Sequence, residues 1–309
     1  MQTSFGASEA IGLLILVGLS TIYIWGWQRM RRALPTLANV PRLIAMGGAV
    51  LALGFALVWP LPDWSNYLLT MRSLQKVCIC MIAAPLFWLA APIHVSVWGL
   101  RTRLRQFFVA LRTQRWTRAV MHGMSQPLTV WMIYVAVFLL WHDPTLAHYF
   151  LGEHMTHTAA PWLLLVAALL FWWPIVDSGP RFHRGFPAWM LIVSLISVEV
   201  ANMVAGITIA FSVEPLYPYY AAVRAQLPDH ALPWGQITDQ VAGGAIVWVF
   251  GSFVYIGSVV FVLLRLFRQE GNASPLHLPN WDDHEKFIAP GLEYRAAQNR
   301  LRKTDLDHH

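Results

Sequence analysis

Seven stretches of the chain, 8–28, 43–61, 67–95, 126–142, 157–176, 187–212 and 238–266, run long and apolar with few charges. About 20 such residues cross a bilayer as a helix. Composition supports the same solvent: 57% of the 309 residues are apolar, 12% are charged and 16 are Trp, too apolar and aromatic for an ordinary soluble domain. The predicted fold is all-α, a polytopic integral membrane protein. Seven transmembrane helices occupy residues 1–268, and a polar cytoplasmic tail follows over 269–309. The third run is the longest of the early ones and is expected to tilt or break near Pro85 and Pro92.

Arginine placement sets the orientation. Alternate connections carry Arg29, Arg31, Arg32 and Arg42, then Arg101 to Arg118, then Arg181 and Arg184, with Arg265 and Arg268 closing the last span. Such connections stay cytoplasmic. The opposite connections hold only Arg224 and more of the His and Tyr, so the N-terminus is expected outside and the C-terminus inside. The net charge of +6 then belongs mainly to cytoplasmic flanks facing anionic lipid, and no nucleic-acid partner is expected.

No cationic stretch precedes the first run, which is expected to be retained as a span. The tail is rich in turn formers and is expected to hold one short helix from Tyr294 to Lys303. No phosphate-cradling glycine loop occurs, so nucleotide-driven chemistry has no support.

Polar residues inside the apolar runs mark candidate sites, because an ionisable group at membrane depth costs roughly 2.5–3.5 kcal/mol on insertion scales. Arg72 and Lys76 lie one turn apart on one face of the third span. Glu199, Asn202 and Gly206 share a face of the sixth, where Ala205 and Gly206 would allow close helix approach. Asp239 and Gln240 open the seventh, where capping alone would explain the aspartate. Cys78 and Cys80 point about 200° apart on a helix and read as small buried hydrophobes.

The outer connection before the fifth span carries His142, His148, His154, Met155 and His157. Imidazoles beside a thioether suit copper better than a hard cation. Exposed histidines in such loops also commonly bind nothing, and spacing does not choose.

Several motifs occur in order: Trp141-His142-x-Pro144, Leu170-Phe171-Trp172-Trp173-Pro174, Glu214-Pro215-Leu216-Tyr217-Pro218-x-Tyr220, and Asp239-Gln240 followed by Gly244 and Trp248. Together they resemble the CtaG-like family of cytochrome caa3 oxidase assembly factors, from the first span to about Arg268. The resemblance implies a plasma-membrane protein concerned with maturation of haem-copper oxidases, with a role in copper handling. It also implies histidines where this chain has Arg72 and Lys76, beside Gln75. His157 matches a family histidine, while Ala160 and Pro161 stand where a Glu-His pair is implied.

Two cations in place of two imidazoles repel a metal and call for carboxylates. The expected pairs are Lys76 with Glu199 and Arg72 with Asp239. The leading functional expectation is an accessory or assembly factor for a terminal haem-copper (cytochrome c) oxidase, linked to copper insertion and acting without covalent catalysis. It would bind oxidase subunits within the lipid bilayer of the bacterial plasma (inner) membrane. Copper is the one cofactor left open. A second expectation is a copper carrier or transporter using the outer-loop residues. A third is a haem or redox membrane subunit, ranked last because no two in-span histidines at matching depth are evident.

Overall fold

The computed structural model describes residues 7–35, 38–100, 114, 123, 126–147, 154–178, 187–228 and 231–272. Among them every regular element is helical: α1 (Ala7–Ala33), α2 (Val40–Leu57), α3 (Leu61–Ser65), α4 (Leu69–Val77), a π-helical stretch (Cys78–Ala83), α5 (Ala84–Leu89), α6 (Pro92–Gly99), α7 (Pro127–His142), α8 (His154–Val176), α9 (Ala188–Phe211), α10 (Pro218–Ala225) and α11 (Gln236–Asn272). Proline sits in the first two positions of α2, α3, α6, α7 and α10, where its missing N–H has no intrahelical partner to lose.

Among the described residues six helices are long and apolar enough to cross a membrane: Glu9–Ala33, Val40–Leu57, Leu69–Leu89, Ala159–Val176, Ala188–Phe211 and Gln236–Arg268. The fourth apolar run makes α7, only 16 residues long, below the usual spanning length. Seven runs thus become six spanning-length helices and one shorter apolar helix. The chain divides into two units, residues 1–266 and 267–309, and helix α11 runs to Asn272. The short helix expected at 294–303 lies outside the described residues, as do Arg101 to Leu111 of the second cytoplasmic connection.

Leu69–Leu89 is the axis of the bundle: 67% of its apolar window is buried, against 22–28% for α1, α2, α9 and α11. Its break follows from two prolines. Within the π stretch each N–H reaches back five residues, as Ala84 N–H does to Ile79 O. The donor due to Cys80 O would be residue 85, but Pro85 has none. Trp172 Nε1–H from α8 donates to Cys80 O instead, at 2.7 Å. The helix then stops, Ala91 turns left-handed at φ 49°, and α6 starts at Pro92.

Small residues set the closest approaches. A Cβ on Gly26 of α1 would lie 2.1 Å from Val95 O of α6, and one on Gly99 would lie 2.4 Å from Ile22 O. The obstacles are backbone, so side-chain movement cannot relieve them. Gly206 and Gly244 do the same for α9 and α11, with a Gly244 Cβ only 2.5 Å from Ala210 N. A Gly26→Ala substitution should destabilise the bundle by about 1–3 kcal/mol, as overpacking does. Gly18→Ala, where a Cβ would meet nothing within 4 Å, should be neutral or stabilising. Thermal unfolding of both variants in detergent checks the contrast.

Candidate functional site

Lys76 has no exposed surface. Its Nζ donates to Asn202 Oδ1 of α9 at 2.9 Å and lies 3.1 Å from His142 Nε2 at the end of α7. It also stands 4.2 Å from the centre of the Phe138 ring. His142 Nδ1 lies 2.8 Å from Phe138 O. A carbonyl only accepts, so Nδ1 carries the ring hydrogen and Nε2 offers its lone pair to the ammonium.

Asn202 is itself fixed. Its Nδ2 donates to Val247 O of α11 at 2.8 Å, in a space that exists because residue 251 is glycine. A Cβ there would fall 1.8 Å from that nitrogen. One turn away Glu199 Oε1 accepts from Ser252 Oγ at 2.5 Å, while its Oε2 is buried with no hydrogen-bond partner among the described residues.

Arg72, also buried, lies over the Trp141 ring at 4.3 Å, and its Nη2 donates to Trp141 O at 3.4 Å. The cation thus sits at the C-terminal end of α7, where free carbonyls and the helix dipole favour positive charge. Tyr217 Oη donates to the next carbonyl, His142 O, at 2.9 Å. Burial pushes the Tyr217 phenol up to about 12, against the pull of the Arg72 charge, so it remains a donor at neutral pH. Burial likewise raises Tyr220, whose hydroxyl donates to Ser65 O at 2.8 Å.

Asp239 caps a helix, but not its own. Its Oδ2 accepts from Leu69 N at 2.7 Å and its Oδ1 from Thr70 N at 3.1 Å, while Thr70 Oγ1 returns a bond to Asp239 O at 2.9 Å. The first turn of α4 is therefore capped by the first turn of α11. Gln240 holds the loop between α9 and α10: its Oε1 accepts from Leu216 N at 2.8 Å and its Nε2 donates to Glu214 O at 3.2 Å.

The expected ion pairs are thus corrected. Lys76 takes Asn202 and His142 as direct partners, not Glu199, and Arg72 takes a helix end and an indole face, not Asp239. The physical reason is that a helix terminus supplies the opposite partial charge already fixed in place. Among the described residues Arg265 and Asp177 do make an ion pair, between α11 and the residue after α8.

Of the five metal candidates, His142 alone has a described side chain. His148 lies outside the described residues, and so do the side chains of His154, Met155 and His157, whose backbone forms the first turn of α8. No group of three His, Cys, Asp or Glu able to hold a metal occurs among the described residues. The lone pair of His142, the one candidate with a described side chain, is taken by the Lys76 ammonium.

Gln75, Phe138, Ser252 and Gly251 were not foreseen in these roles. Proline was the available signal for one: Pro60 cannot donate to Ala56 O, and Gln75 Nε2 does so at 2.8 Å.

A model of the cytochrome c oxidase caa3 assembly factor family (Caa3_CtaG) matches residues 21–269. The chain belongs to this family. No curated protein and no solved structure matches it. Membership implies a role in cytochrome c oxidase assembly, and the multiple apolar helices make the chain a multi-pass membrane protein. In this Caa3_CtaG member Trp141, His142, Tyr217, Tyr220, Asp239 and Gln240, distant in sequence, are linked by hydrogen bonds around the start of α4 and the end of α7. Replacing Asp239 by Ala should cost about 1–3 kcal/mol, because Leu69 and Thr70 N–H groups lose their buried acceptor. Denaturant unfolding in detergent measures it.

Proposed function

We propose that the chain serves assembly of a haem-copper cytochrome c oxidase as a rigid membrane-embedded accessory factor, not as a copper carrier. The observation that supports this reading is the Lys76 ammonium bonded to His142 Nε2, which occupies the one described imidazole of the metal candidates. Scaffolding needs fixed faces, and the junction fixes α4, α7, α9 and α11 to one another through side-chain bonds.

In this reading α7 makes a seventh crossing, with the N-terminus outside and the arginine-rich connections in the cytoplasm of a bacterium. The membrane-facing helices and outer loops meet oxidase subunits. Exposed apolar side chains on α9 and α11, among them Trp189, Val193, Phe250 and Phe253, supply such faces.

Deleting the chain should remove the haem absorbance of the assembled oxidase, and added copper should not restore it. The purified chain should carry less than one copper per molecule. Restoration by copper, or stoichiometric copper lost on replacing His154 and His157, would favour the carrier instead.

A further inference from the structure

The surroundings of Lys76 Nζ make a cation-binding set on their own. Three helices contribute: α7 gives an imidazole lone pair at 3.1 Å and a ring face at 4.2 Å, α9 gives an amide oxygen at 2.9 Å, and α4 carries the occupant. Each acceptor is aimed by a second bond. Phe138 O fixes the His142 ring, and Val247 O fixes the Asn202 amide. Reversal of the amide is blocked, because turning Asn202 would direct an N–H at the ammonium and an oxygen at a carbonyl.

The direct contacts carry no formal charge. Glu199, one turn from Asn202, bonds Ser252 rather than Lys76, and its other oxygen lacks any donor among the described residues. Arg72, one turn away, adds a positive charge. The balance therefore suits an ion of charge +1, whereas a divalent ion would be left uncompensated in a dry interior. Ring face, amide oxygen and imidazole lone pair together accept N–H bonds and positive charge, the set an ammonium takes.

We propose that this is a monovalent cation cage, filled in the native chain by the chain's own Lys76 ammonium, and that a chain lacking that side chain takes up a small primary ammonium ion from solution. The cage depends on a cation for its order, since without one His142 Nε2 and Asn202 Oδ1 both lose the donor they share. The inference does not rest on the assembly role, because its readout is stability of the isolated chain.

The test compares full-length Lys76→Ala and Lys76→Met with the native chain in detergent, by thermal unfolding followed through tryptophan fluorescence. Lys76→Ala should lower Tm by about 5 °C or more, and methylammonium should restore at least half of that loss in a saturable way. Tetramethylammonium, too large and without N–H donors, should not. Lys76→Met fills the space and should show the loss without the rescue. The native chain should respond to neither ion. The proposal is overturned if Lys76→Met matches the native Tm, or if Lys76→Ala gains nothing from methylammonium. It is also overturned if copper(I) stabilises Lys76→Ala where methylammonium does not, which would make the position a metal site.

Discussion

A fully buried ammonium dictates much of how this bundle is joined. Lys76 cannot be left without acceptors at membrane depth, and the chain meets that demand with neutral groups held by further bonds. Each of those groups draws in another helix: His142 brings α7, Asn202 brings α9, and Val247 with Gly251 brings α11. Lipid offers no hydrophobic drive for helices to associate, so such bonds and the glycine contacts of α1 with α6 and α9 with α11 hold the helices together.

The same economy governs the other buried charges and the prolines. Asp239 meets the N-terminus of α4, and Arg72 meets the C-terminus of α7, so neither needs a carboxylate or cation as its direct partner. Pro60 and Pro85 each leave a carbonyl without its helical donor, and Gln75 and Trp172 fill the two vacancies from neighbouring helices. The core is thus joined by polar groups at the very points where its helices are irregular.

Sequence alone gave the helices, because length and apolarity are one-dimensional properties, and it picked out Arg72, Lys76, Asn202, Asp239 and Gln240 because polarity within an apolar run is conspicuous. It misassigned their partners. Pairing depends on which faces meet and at what depth, and a rule that seeks opposite formal charges overlooks the partial charges of helix ends. Glu199 shows the limit: it shares the face of Asn202, yet the amide makes the contact with Lys76 and the carboxylate bonds Ser252. The fourth run, 126–142, matches α7 to within one residue, and at 16 residues that helix is shorter than the usual spanning length.

Belonging to an oxidase assembly family implies the role, and the junction supplies the fixed geometry proposed for it, with the Lys76 ammonium bonded to His142. The most direct test is the protonation state of His142. Nitrogen-15 NMR of histidine-labelled protein in bilayers, assigned by comparison with His142→Gln, should show a neutral ring with Nδ1 protonated and Nε2 a bare acceptor. A charged imidazolium, or a ring protonated at Nε2, would contradict the account.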